Sequence, residues 1–187
     1  MKKFYIVSLG CPKNLVDSET VAAKLIRAGY ELTLEERNAS IVVINTCAFL
    51  SSAIEESEAV IEKYIGLKKK KKLEIVVCGC LVERFKDKLI KKYPDIDFLF
   101  GIDSINEISN ISEKNKKIFL KPHPEILNSD DRVLLTSPHV AYLKIADGCN
   151  NFCSYCTIPR IRGRFRSKPV ESVVEEAKNL SDVGVKE

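Results

Sequence analysis

The chain has 187 residues, is 45% hydrophobic and 30% charged, and carries a net charge of +4. That balance excludes a disordered tail or a membrane protein, since no apolar run approaches the roughly 18 residues that span a bilayer. The mild positive charge neither repels nor demands an acidic partner such as RNA or a ribosome.

Met1-Lys2-Lys3, followed by the apolar stretch from Phe4 to Cys11, imitates a lipoprotein signal only faintly. The stretch is very short and runs into a helix signal at Pro12-Lys13-Asn14, so a cytoplasmic protein is expected. Phe4 to Leu9 reads as a strand. A helix follows, with Val21, Ala22, Leu25 and Ile26 on one face, Asp17 or Ser18 placed to cap it, and Gly29 past its end. Ile41-Val42-Val43-Ile44 is a β-branched strand. Ser52 to Ile65 is helical, with Ile54, Ala59 or Val60, and Ile61 turned inward. Glu74 to Val77 is a third strand, and a helix through Leu81, Phe85, Leu89 and Ile90 follows it. Asp97 to Phe100 and a short helix near Ser104 to Ile111 close the unit. Apolar strands joined by helices predict an open, mainly parallel sheet flanked by helices, an α/β domain over residues 1–115.

Pro122, Pro124 and Pro138 interrupt a polar stretch, so residues 116–137 are expected to be a linker. His123 and His139 lie beside prolines and read as solvent-facing loop histidines rather than ligands. Val140 to Ile145 predicts a new strand, and Val170 to Leu180 a helix with Val173, Val174, Ala177 and Leu180 inward. One strand and one helix bury no core of their own, so residues 138–187 read as the opening of a larger domain. The lysine run from Lys68 to Lys72 reads as a solvated loop. Arg160, Arg162, Arg164, Arg166 and Lys168 divide between two readings, simple solvation and contact with a cofactor or acidic substrate.

Seven cysteines, an odd number without the dense spacing of a secreted scaffold, point to metal binding or chemistry in a reducing compartment. Cys149, Cys153 and Cys156 lie in one loop, separated by three and then two residues, with no nearby fourth cysteine. Structural zinc sites close with four protein ligands, whereas crowded soft thiolates suit iron–sulfur clusters. A four-iron cluster held by three cysteines keeps one iron open for a reactant. Cys11, Cys47 and Cys80 each follow a predicted strand, and ligands of open parallel sheets bind outside the strands' carboxyl ends. Gly10 and Gly79 precede two of them and permit close backbone approach. Spacing alone leaves a shared metal site and ordinary packing cysteines equally open there. Cys78 is left over and reads as packed or idle.

The three-cysteine loop, with Tyr155 before its last cysteine, resembles the radical S-adenosylmethionine superfamily. Leu9-Gly10-Cys11-Pro12-Lys13-Asn14 to Glu19, Asn45-Thr46-Cys47-Ala48-Phe49 and Gly79-Cys80-Leu81 resemble the methylthiotransferases within it. So do Asp147-Gly148-Cys149 to Cys156, Ile158-Pro159, Arg162-Gly163 and Ser167-Lys168-Pro169. The Cys-Pro-Lys-Asn form is similar to the branch that methylthiolates an aspartate β-carbon of a small-subunit ribosomal protein (S-twelve). The tRNA-modifying branch more often carries Gly-Cys-Gln-Met-Asn.

The resemblance implies two [4Fe-4S] clusters, one on Cys149, Cys153 and Cys156 and an auxiliary one on Cys11, Cys47 and Cys80. It implies S-adenosyl-L-methionine as methyl donor and radical source, with Tyr155 near the adenine, and an electron donor such as flavodoxin or ferredoxin. It further implies that residues 138–187 begin a partial β/α barrel, of which the chain holds the first β/α unit, so that turnover by this length alone is not expected. A tRNA methylthiotransferase and a non-catalytic metal-binding module are the competing readings. An electron carrier would close its cluster with a fourth cysteine.

Overall fold

The structure is a computed structural model that describes residues 1–112, 118–120 and 132–187. His123, Pro122 and Pro124 lie outside the described residues. Six strands form one parallel sheet: β1 (Lys3–Ser8), β2 (Glu31–Leu32), β3 (Ile41–Thr46), β4 (Glu74–Gly79), β5 (Phe98–Phe100) and β6 (Ile118–Phe119). Their order is β2-β1-β3-β4-β5-β6, and every neighbouring pair is parallel. The expected α/β architecture is therefore present. Two short strands add to the reading from sequence, and β6 pairs with β5 within the stretch expected to be linker. Phe119 of β6 stacks on Phe100 of β5 with ring centroids 4.5 Å apart.

Alternation along β3 and β4 feeds two cores. Val42, Ile44, Ile75 and Val77 face helices α2 (Ser51–Lys68) and α3 (Cys80–Lys92) through Ile61, Tyr64, Leu81 and Leu89. Ile41, Val43, Val76 and Cys78 face α1 (Pro12–Arg27) and a 3-10 helix over Ile102–Ser112, through Val21, Leu25, Ile105 and Ile108. Sheets covered on both faces need apolar residues at consecutive positions, which is why β3 and β4 read as continuous runs. Each such aliphatic side chain contributes about 1.5–3 kcal/mol by burial.

Helix α1 starts at Pro12, with Cys11 at its N-cap, so Asp17 and Ser18 are buried inside it and do not cap it. Proline suits this position because its fixed φ is already helical and its missing N–H leaves nothing unpaired. Ile26, expected inward, is 41% exposed. In α2 the buried residues are Ser57, Ile61 and Tyr64; Ala59 is exposed, and Ile54 and Val60 are half-buried.

Residues 141–145 form no strand. The ladder there is a short antiparallel pair, β7 (Ala146–Asp147) with β8 (Arg166–Ser167). Upstream of it, the Ala141 amide donates to the Glu187 carbonyl and the Lys186 amide to the His139 carbonyl. Residues 139–141 thus meet the returning chain after α5 (Val170–Asp182) in only a few bonds. The inner face expected for α5 is uncovered: Val174 and Ala177 are exposed, Val173 and Leu180 half-buried, and the buried residue is Glu176. No helix among the described residues is long and apolar enough to cross a membrane.

Candidate functional site

The carboxyl ends of β1, β3 and β4 open into three loops carrying Cys11, Cys47 and Cys80, and Asn14 ties them together. Its side-chain amide donates to Leu9 O at 2.9 Å and Thr46 O at 2.8 Å, each carbonyl two residues or one before a cysteine. Its Oδ1 accepts from the Cys80 thiol at 3.6 Å. Asn45 Nδ2 returns a bond to the Asn14 carbonyl at 2.7 Å. Asn14 is fully buried, and its polar atoms replace water for backbone groups that the loops leave without sheet partners.

Two glycines bring the backbone close. Gly10 sits at φ +87°, and a Cβ there would lie 2.5 Å from Cys47 Cβ and 2.8 Å from its Sγ. Gly79, at φ +93°, would place a Cβ 2.3 Å from Asn45 Oδ1 and 2.7 Å from Thr46 O. Only a residue without a side chain permits either approach. Cys11 is exposed, whereas Cys47 and Cys80 are buried. Burial pushes the Cys80 thiol up to about 11, with the Arg162 guanidinium as the largest opposing influence. Cys78 is wholly buried in the opposite core, and burial drives its thiol far above the ordinary value.

The second cysteine set lies on residues 149–156. Gly148, at φ +73°, passes against Arg164, where a Cβ would stand 2.1 Å from the carbonyl oxygen. The Cys149 amide donates to Gly163 O at 3.1 Å and the Cys156 amide to Cys153 O at 3.0 Å. Phe152 adopts φ +40°, a conformation costly for a side-chain-bearing residue. Cys153 is exposed, and Cys149 and Cys156 are partly so. Tyr155 is 83% exposed, at the rim of a hollow of about 220 Å³ that Phe152, Cys153, Cys156 and Arg160 also line.

The two sets are joined. Helix α4 (Ile158–Ile161) inserts Ile161 into the core under α2 and α3. Arg162, 1% exposed, donates through Nη1 to Asp147 Oδ2 at 2.8 Å. Its Nη2 reaches Asn14 Oδ1 at 2.6 Å, Asp17 Oδ2 at 3.0 Å and Cys80 Sγ at 3.8 Å. Lys144 completes the network, donating to Asp17 Oδ1 at 2.6 Å. Burial pushes Asp147 upward, but the Arg162 and Lys144 charges and the Gly148 amide outweigh it and hold the carboxyl at about 2.

Neither reading of the basic string foresaw this, because the partners come from the chain itself. Lys168 pairs with Glu176 at 2.7 Å, and Arg166 lies 3.8 Å from Asp103. Arg160 and Arg164, at the same alternate spacing, are exposed, so the spacing carried no signal that Arg162 and Lys168 are buried. In the lysine run Lys69, Lys70 and Lys72 are exposed, as expected of a solvated loop, while half-buried Lys68 pairs with Asp97 at 2.5 Å. His139 is exposed.

Among the described residues, no three His, Cys, Asp or Glu side chains converge where a single metal ion could sit. The donor sets themselves are three thiols each, soft ligands suited to an iron–sulfide cluster, a group wider than one ion. Gly10 and Gly79 let the segments that carry Cys11 and Cys80 pack directly against Cys47 and against Asn45 and Thr46.

An open parallel sheet with three cysteines at its carboxyl edge, tied through Arg162 to the segment after a three-cysteine loop, defines an α/β protein with two sets of three cysteines. The chain belongs to the family described as uncharacterized protein family UPF0004, whose model matches residues 3–101. Residues 143–187 match the radical SAM superfamily. Over its whole length the chain is similar to proteins named ribosomal protein uS12 methylthiotransferase RimO. It is 43% identical to that of Caldanaerobacter subterraneus subsp. tengcongensis and 44% to that of Elusimicrobium minutum, with 100% of this chain covered in both. Against the Aquifex aeolicus protein it is 48% identical over 99% of this chain. The chain spans 44, 44 and 40% of the length of these three relatives.

Proposed function

We propose that this chain forms the cluster-bearing part of a RimO-type radical SAM methylthiotransferase, acting on an aspartate β-carbon of ribosomal protein uS12 in the cytoplasm. Residues 1–115 carry the auxiliary centre and residues 138–187 open the radical domain. The observation that carries the reading is Asn14 at the carboxyl edge of the sheet, bonded to Leu9 O, Thr46 O and Cys80 Sγ on the three segments that carry Cys11, Cys47 and Cys80, and to Arg162 from the segment after Cys156. Identity of 40–48% to RimO proteins along the whole chain supports the same assignment.

In this reading Cys149, Cys153 and Cys156 hold one [4Fe-4S] cluster, and Cys11, Cys47 and Cys80 hold the other. When bound, the clusters and S-adenosylmethionine supply the one-electron chemistry that no acid or base provides for an unactivated C–H bond. The chain's own residues position. Asn14 fixes the three auxiliary loops, and Gly10 and Gly79 let those loops pack closely against one another. Arg162 ties the segment after Cys156 to Asp17 and Cys80, and Tyr155 and Phe152 line the hollow that would be offered to the cofactor. The exposed Cys153 side is where an electron donor such as flavodoxin or ferredoxin would approach.

The test is iron and acid-labile sulfide per chain after anaerobic reconstitution. About eight irons, falling to about four in the C149A/C153A/C156A variant and to about four in C11A/C47A/C80A, are expected for two independent four-iron clusters. Zinc in place of iron, or no loss in either variant, overturns the reading.

A further inference from the structure

Arg162 is the one cation whose side chain reaches a cysteine sulfur in the hydrogen bonds described above, and that sulfur belongs to the other end of the chain. Its Nη2 lies 3.8 Å from Cys80 Sγ, within hydrogen-bonding reach for sulfur. As a free thiol, Cys80 donates to Asn14 Oδ1. As a metal ligand it is a thiolate with no proton to give, so it becomes an acceptor. Asn14 cannot answer it, because its Nδ2 is committed to Leu9 O and Thr46 O. The donor already in place is the guanidinium.

Lys144 and Arg162 share two buried carboxylates, Asp17 and Asp147, so the buried charges balance. The third cation, Lys13 on Asp147, is 44% exposed and is screened by water. Of the two buried cations, Arg162 is the one within hydrogen-bonding reach of Cys80 Sγ.

We propose that Arg162 is a positioning residue that donates an N–H···S hydrogen bond to the Cys80 ligand and thereby raises the reduction potential of the auxiliary centre. Cluster potentials rise when donors reach the ligand sulfurs and when positive charge stands close by, because both favour the more negative reduced form. Contact with Asp147, two residues before Cys149, makes the same guanidinium the link between the two centres. The inference rests on the assignment of an iron–sulfur cluster to Cys11, Cys47 and Cys80.

The experiment uses the full 187-residue chain with C149A/C153A/C156A as parent, so that iron binds at the auxiliary centre alone. Iron content and the midpoint potential, followed by EPR during an anaerobic redox titration, are measured for the parent, Arg162→Lys and Arg162→Gln. Iron near that of the parent, with potentials falling in the order parent, Lys, Gln, is expected, since lysine keeps the charge but not the fork. Unchanged potentials with iron retained overturn the proposal. If Arg162→Gln does not fold, Arg162→Lys alone decides, by a lowered or an unchanged potential. A parent that binds no iron, with Arg162 intact, instead defeats the cluster assignment beneath it.

Discussion

Asp17 and Arg162 stand 145 residues apart in the chain, yet Arg162 Nη2 donates to Asp17 Oδ2 at 3.0 Å with both side chains at most 3% exposed. Asp17 receives Lys144 on its other oxygen, so it bridges two buried cations that it shares with Asp147. Replacing Asp17 with alanine leaves both to Asp147 alone, with one buried positive charge uncompensated. A buried ion pair adds little net stability over an apolar substitute, but removing one partner strands the other and costs about 3–5 kcal/mol. Urea unfolding of Asp17→Ala is expected to show an unfolding free energy lowered by that amount. A loss under about 1 kcal/mol, the range of an exposed pair, would contradict the geometry.

Asn14 offers a sharper separation of folding from metal binding. Asn14→Ala leaves Leu9 O and Thr46 O without their donor and takes an acceptor from Arg162, at about 1–3 kcal/mol for each buried group left unpaired. The sheet beneath keeps its two cores. The expected result is a chain with wild-type far-UV circular dichroism that reconstitutes about four irons instead of about eight, with the loss confined to the auxiliary centre. Full iron content in Asn14→Ala would remove Asn14 as the organiser of the three loops.

The cysteines at the strand ends were legible because an open parallel sheet exposes its carboxyl edge to ligands, and β1, β3 and β4 announce themselves as β-branched runs. Asp17 was not legible. Near the start of an apolar helical pattern it looks like a cap, and its partners Lys144 and Arg162 lie 127 and 145 residues away. The same holds for Arg162 and Lys168: a basic string after a cysteine loop looks solvated until Asp17, Asp147 and Glu176 are folded against it. Helix α5 fails in the opposite direction. Its valine stripe has helical spacing, but nothing among the described residues covers Val174. Local pattern reports which face is apolar; it does not report whether a neighbour is there to bury it.

Glu19 makes the stability depend on pH with a sign opposite to that of most paired carboxylates. Burial raises its pKa above the ordinary 4.5, and the Leu135 amide and the Arg132 guanidinium, 2.9 Å away, only partly offset this. A raised carboxyl binds its proton more tightly in the folded state than in the unfolded one. Its favourable contribution is therefore complete below pH 4.5 and is lost as pH rises through the folded value. Glu19→Gln mimics the protonated form at every pH. The urea midpoint of Glu19→Gln relative to wild type is expected to rise between pH 4 and pH 7, whereas a constant or falling difference would show that Arg132 outweighs burial.

Gly79 marks where backbone geometry and ligand placement are the same problem. It occupies φ +93° and ψ −156° at the N-cap of α3, one residue before Cys80. A methyl group there meets Thr46 O at 2.7 Å and Thr46 N at 3.0 Å, and these are backbone atoms of the adjacent strand that cannot swing aside. The backbone conformation alone costs about 1–3 kcal/mol for any residue with a Cβ. Relief requires β4 and β3 to separate at their carboxyl ends, which carries Cys80 away from Cys47. Gly79→Ala is thus expected to lower the unfolding free energy in urea by at least that cost. It should also reduce iron from about eight to about four per chain, with the cluster at Cys149, Cys153 and Cys156 retained. The comparison with Gly29→Ala separates the two effects. Gly29 has a similar φ of +87° but nothing within 4 Å of its missing Cβ, so its substitution should cost stability and leave the iron content unchanged.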